Sequence, residues 1–219
     1  MELKEITEAI KQWDTSRKDV SLTKKLFSLG NCFTFELSDA VLLEEEFIHA
    51  YLSVVKEGTS DVLNMLLIAS SKDHKEQADI HKHVAKIPVI SEAIPKDIVD
   101  PEEAKMRIRN WENHCEDWLE SRSNQNKELH QVFVIPKKYL KNNRTYIAFF
   151  ALKDGVVTPN TINSLVGDMI VWDKVSSTII YPNSDDTSDT FYNTVRLVPP
   201  FGQKNKENFF LLKLAGIKN

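Results

Sequence analysis

The chain has little glycine, six residues in 219. It contains no GxGxxG run and no other phosphate-cradling loop, which disfavours the common nucleotide enzymes. No GxSxG elbow occurs, so that route to a nucleophilic serine is missing. Cysteine is scarce as well. Cys32 opens a predicted strand and Cys115 lies on the apolar stripe of a predicted helix. Both are read as buried free thiols, since free cysteine is among the most often buried residue types. A disulfide between them has no support. His114 adjoins Cys115, but neighbouring helical residues point apart and do not make a catalytic pair.

Charge of one sign is not in excess: the formal net charge is −4. Such a balance gives no long-range attraction to phosphate backbones or anionic lipid, so neither nucleic acid nor membrane is an expected partner. Long apolar runs are also lacking. The start, MELKEITEAIKQW, is charged and amphipathic, unlike a signal peptide or a transmembrane span. A cytoplasmic protein is expected on that reading.

What the chain does have is a sequence that runs through one order twice. Ile10 and Trp13 recur as Ile108 and Trp111. Phe33, Phe35, Val41, Phe47, Ile48 and Tyr51 recur as Val132, Val134, Leu140, Tyr146, Ile147 and Phe150. Met65 to Ile68 recurs as Met169 to Trp172, and Val84 to Pro88 as Val195 to Pro199. This is the signature of a duplicated supersecondary unit. The expected fold class is α+β: two tandem repeats, residues 1–98 and 99–219, each with one principal helix on a small, mostly antiparallel sheet. The repeats are expected to pack with approximate two-fold symmetry. A hydrophobic content of 42% and a charged content of 27% suit a globular chain long enough to bury a core.

Leu3, Ile6, Ile10 and Trp13 are spaced for one face of a first helix. A second helix is predicted from Ser21, as N-cap, to Leu29, with Gly30 ending it in the left-handed conformation. Phe33 to Leu37 alternates as a strand does. Residues 38–57, read alone, suit one amphipathic helix. The second copy, with its Asn142-Asn143 turn and aromatic run, favours a helical turn at 39–44 and a strand at 47–55. Residues 91–99 read as the linker. Asp100-Pro101-Glu102-Glu103 then opens a helix to about residue 121, striped by Ala104, Ile108, Trp111, Cys115, Trp118 and Leu119. Strands are predicted near 167–173, at 177–181 and at Val195–Val198. Phe209–Leu214 is predicted as an extra C-terminal strand without a counterpart in the first copy.

The Asn110-Trp111 helix, the strand into Ile135-Pro136-Lys137, His49-Ala50-Tyr51-Leu52 and Leu66-Leu67-Ile68-Ala69 together carry a likeness. Their order resembles a family of small bacterial α+β proteins of about one repeat's length, without an assigned activity. Members look like an NW helix, an IPK strand, an AYLG strand, an LILVG strand and a proline-rich tail. The cysteine often found among the family's tail prolines is absent from Ile87-Pro88-Val89 and Val198-Pro199-Pro200. The resemblance implies the α+β fold and no catalytic residue.

Other segments carry weaker hints of chemistry. His74, His81 and His83, with Asp73, Glu76 and Asp79 between them, are of the types that bind zinc. They lack HExxH or facial-triad spacing, and the plainer reading is a solvated connection. The oxygen-rich loop 183–190 could in principle hold calcium, but lacks the glycine and terminal glutamate of an EF-hand. It reads as an exposed loop. Glu44-Glu45-Glu46 is a solvated face rather than an acid–base pair, which needs one sheltered carboxyl. Trp13, Trp111 and Trp118 read as core, with an exposed partner site as the sharper alternative.

The expected function is therefore a non-enzymatic binding or protein-interaction module without a cofactor. Two alternatives stand beside it: a divalent-metal-dependent hydrolase using His74, His81 and His83, and a small-ligand carrier with a pocket at the repeat junction.

Overall fold

The structure, a computed structural model, describes residues 1–37, 47–94, 102–124, 129–137, 140–154, 165–174, 178–179, 196–198 and 209–217. The helices are α1 (Leu3–Ser16), α2 (Val20–Phe27), α3 (Glu102–Asn124) and α4 (Phe210–Leu214). The strands are β1 (Cys32–Glu36), β2 (Phe47–Glu57), β3 (Ser60–Ala69), β4 (Ala85–Pro88), β5 (Val132–Pro136), β6 (Thr145–Asp154), β7 (Leu165–Asp173), β8 (Thr178–Ile179) and β9 (Arg196–Val198). They form two antiparallel sheets, ordered β1-β6-β7-β8 and β4-β3-β2-β5-β9. The α+β class is as expected. No helix among the described residues is long and apolar enough to cross a membrane.

Each sheet mixes strands from both sides of residue 99. β1 lies against β6, and β5 lies against β2. The first strand of each segment thus belongs to the sheet built by the other. At one corner Ile90 bridges Cys32, which links the end of the β4 segment to β1.

Local chemistry fixes the helix ends. The Glu5 carboxylate accepts the Glu2 N–H at 2.8 Å at the start of α1. For α2 the cap is Asp19, which accepts the Leu22 N–H at 3.0 Å, not Ser21 as the sequence suggested. Gly30 is also not in the left-handed conformation. Its value lies in its missing side chain: a Cβ there would stand 2.6 Å from the Ile90 backbone. The segment from Phe209 is helical rather than extended, because a short apolar run fits a buried helix as well as a strand. The predicted strand at 47–55 is present, and longer. The turn at 39–44, the acidic run at 44–46, residues 95–99 of the linker and the loop 183–190 lie outside the described residues.

The inner faces of the sheets share one core. Phe33, Phe35, Tyr146 and Phe150 from one sheet meet Leu52, Met65, Phe133 and Ile135 from the other, with Phe133 and Phe150 centroids 6.0 Å apart. The outer faces form two further clusters. Ile6 and Ile10 of α1 cover Tyr51, Leu66, Ile68, Val132 and Val134. Ala104 and Ile108 of α3 cover Ile147, Phe149, Ile170 and Trp172. Trp13 and Trp111, one turn further along, reach the shared core. The pairs Ile10/Ile108 and Trp13/Trp111 therefore occupy like surroundings, and so do Met65/Met169 and Leu66/Ile170.

The pairs read from the sequence across β1 and β5, and across β2 and β6, do not. Phe33 and Phe35 face the shared core, whereas Val132 and Val134 face outward. Ile48 faces inward and Ile147 outward; Tyr51 faces outward and Phe150 inward. A one-residue slip exchanges the two faces of a strand. Here β2 and β6 are buried on both faces, so alternation left no mark by which to set the phase.

Candidate functional site

Two places gather polar or aromatic groups in unusual density. The first lies on the outer face of the second sheet. β2 carries His49 and Tyr51 two residues apart, so both project to the same side. After β3 the chain makes a short 3-10 turn, Ser70–Lys72, that delivers Asp73 beneath them. The His49 Nδ1 lies 2.7 Å from Asp73 Oδ2, and the Tyr51 hydroxyl donates to the same oxygen. Asp73 Oδ1 accepts the Leu211 N–H of α4 at 3.0 Å. His49 and Asp73 are each 1% exposed. Phe209 closes the cluster, its ring centroid 4.8 Å from that of His49. The His49 Nε2 is buried and without a hydrogen-bond partner.

The chemistry open to this cluster follows from its geometry. An Asp-oriented imidazole with an available Nε2 is the arrangement used by general bases and metal-binding histidines. Here that nitrogen is buried, and the ring packs beside Phe209 instead of opening to a cleft. The imidazole, the Tyr51 hydroxyl and the Leu211 N–H all converge on the one buried Asp73 carboxyl group. The cluster seats the C-terminal segment. Composition and motif spacing gave no sign of it, because 24 residues separate His49 from Asp73. The available signal was a pair of polar side chains, His49 and Tyr51, at strand spacing inside an apolar run.

The second place is the junction between the sheets. Phe27 of α2 stands edge-on to Trp13, Trp111 and Phe150, at 5.8, 5.0 and 5.3 Å. Trp118 adjoins Trp111 at 5.9 Å. Trp13 Nε1 donates to the His130 carbonyl and Trp118 Nε1 to the Leu165 carbonyl, both at 3.0 Å. Among these rings is a cavity of about 20 Å³, also lined by Leu52, Leu129, His130 and Gly167. That is room for about one water. His130 is partly exposed as a residue, but its Nδ1 is buried and unpartnered. Burial, aided by the charges of Arg122 and Arg17, pushes its pKa down to about 3. Asp168 borders the cavity and bonds Arg107 at 2.8 Å; burial raises its pKa, against the pull of Lys153 and Arg107.

The histidines named from the sequence are not brought together. His74 Nδ1 lies 3.2 Å from Glu76, and His83 Nε2 lies 3.1 Å from Gln77. His81 and His83 sit on a 3-10 turn, Ile80–His83, and not on the extended segment that would align them. No group of three His, Cys, Asp or Glu among the described residues could hold a metal ion. Both cysteines are free, and burial pushes each thiol up to about 12. Trp13, Trp111 and Trp118 are buried in the core. Comparison with protein-family models, curated proteins and solved structures finds no match to this chain.

Proposed function

We propose that this chain is a non-enzymatic protein-interaction module, built from two copies of one α+β unit that exchange their first strands. The pairing register supports the duplication. Thr34 faces Ile147 as Val134 faces His49, Leu52 faces Met65 as Phe150 faces Met169, and Cys32 faces Ile90 as Val132 faces Val198. On this reading the copies, residues 1–98 and 99–219, are related by a pseudo-two-fold axis and neither is a separable domain. The likeness to small bacterial proteins of one repeat's length belongs to the same proposal. So does a cytoplasmic location, supported by two unpaired thiols, as expected of a reducing compartment.

One observation carries the functional reading. The arrangement closest to a catalytic one, His49 with Asp73, is sealed under Phe209 and Leu211 and anchors a helix. The junction cavity, at about 20 Å³, is far below the roughly 300–1,000 Å³ of ligand pockets. That favours an interaction module over a small-ligand carrier with its pocket at the junction.

The test has two arms. The purified protein is expected to give background rates on ester, phosphomonoester and phosphodiester substrates and to carry no stoichiometric metal. Turnover that disappears in His49→Ala, or an ion lost in His81→Ala, would overturn the reading. Affinity capture from the source cells, followed by titration with the purified captured protein, is expected to give saturable binding at fixed stoichiometry.

A further inference from the structure

The two principal helices carry like charges at matching places, but only α3 is apolar between them. With Ile10 set against Ile108, the residues Glu5, Glu8 and Lys11 of α1 correspond to Glu103, Met106 and Arg109 of α3. Glu8 pairs with Lys4 at 3.8 Å. Met106 is 46% exposed, one of three large apolar side chains left so open among the described residues. It lines an open groove of about 490 Å³ with Glu103, Arg109, Asn110 and Asn113. All five lining residues belong to α3, so the groove is a bare face of that helix. Methionine at its centre suits a docking surface, because its flexible side chain adapts to what it meets.

The groups around Met106 are held to different degrees. Asp168 accepts from Arg107 at 2.8 Å, and Arg107 in turn donates to the Glu103 carboxylate and fixes its place. Asn110 donates to the Leu152 carbonyl at 3.3 Å. Arg109 is exposed and makes no ion pair among the described residues. Acid, apolar and base therefore follow one another three residues apart along one face. Read in the opposite direction, that order is its own complement.

From this we infer that the outer face of α3 docks a second copy of the chain, α3 against α3, antiparallel about a two-fold axis at Met106. Such an axis sets Met106 against its counterpart and brings Glu103 level with Arg109 of the second copy, twice over. Packed helix axes lie about 8–10 Å apart, within reach of the long guanidinium stem. Other arrangements are opposed by charge. Parallel helices set Glu103 against Glu103, and sliding Met106 onto Asn113 sets Glu103 against Glu116. The prior placement of Glu103 lowers the ordering cost of association. Exposed ion pairs each contribute little and the face is short, so the dimer is weak, sensitive to salt and formed at high micromolar concentration. The inference stands apart from the interaction-module reading. Its failure would leave the activity, metal and capture measurements unaffected.

The experiment uses the full chain in unaltered, Arg109→Glu and Glu103→Lys forms. Sedimentation equilibrium from micromolar to millimolar concentration is expected to show the unaltered chain dimerising and each variant monomeric. An equimolar mixture of the two variants is expected to form a heterodimer, since every facing pair then has opposite charge. Met106→Glu, which copies the α1 arrangement, should weaken association about tenfold or more by setting two carboxylates face to face. Met106→Cys chains should cross-link on mild oxidation much faster than Asn113→Cys chains. If Glu103→Lys does not fold, Arg109→Glu and the two thiol variants decide the matter alone. An unaltered chain that stays monomeric, a dimer that survives Arg109→Glu, folded variants that do not pair, or faster cross-linking through Asn113→Cys would overturn the inference.

Discussion

At the scale of single residues, close approach and burial set the sharpest constraints. Gly30 passes so near Ile90 that a methyl group would displace the bridge joining β1 to the end of the β4 segment. Gly30→Ala is expected to cost about 1–3 kcal/mol by overpacking, read from urea denaturation. An unchanged midpoint would mean that the bridge contributes little. His130 gives a pH signature. Its folded-state pKa, about 3, lies below the ordinary value of 6.5, so the unfolded chain takes up the proton first on acidification. The stability tied to this group is present above pH 6.5 and is lost as pH drops from there toward 3. Comparing His130→Leu with the parent chain across that window isolates the contribution; parallel pH profiles would contradict it.

At the scale of elements, each helix serves two layers. α1 places Ile6 and Ile10 on an outer face and Trp13 in the shared core, and α3 does the same with Ala104, Ile108 and Trp111. Both stripes were legible from spacing alone, because helical periodicity survives even where strands are buried on both sides. The strands were harder. Their existence could be read from apolar runs bounded by turns, but not their phase, since both faces of β2 and β6 are apolar. α4 was misread because five residues are too few to reveal a period. Its anchor was hidden for a different reason: Asp73 and Leu211 are distant in sequence, and only tertiary packing joins them. Asp73→Ala removes the acceptor shared by His49, Tyr51 and the Leu211 N–H. The expected loss is about 2 kcal/mol or more, since the buried Leu211 N–H loses its acceptor and the imidazole its partner. Amide exchange in Leu211 and its neighbours should accelerate most. Retention of full protection there would show that apolar contacts alone hold the segment.

At the scale of the whole molecule, the strand order matters more than any site. Two sheets that each hold strands from both segments cannot open separately: separating residues 1–98 from 99–219 would strip β1 from one sheet and β5 with β9 from the other. The junction is stitched further by Arg17, which reaches the Leu129 carbonyl at 2.9 Å, and by Gln131, which donates to Asp14 at 2.7 Å. The boundary expected near residue 99 gave no hint that each sheet would take strands from both sides of it. Strand partners are chosen by long-range packing, and β1 and β5 are each apolar enough for either sheet.

The most direct measurement is native-state hydrogen exchange on the full chain, followed residue by residue with increasing denaturant. The central amides of β1, β2, β3, β5, β6 and β7 are expected to converge on one opening free energy equal to that of global unfolding. Strands of residues 1–98 opening as a unit well below those of 99–219, or the reverse, would contradict the interleaved architecture and the functional reading built on it.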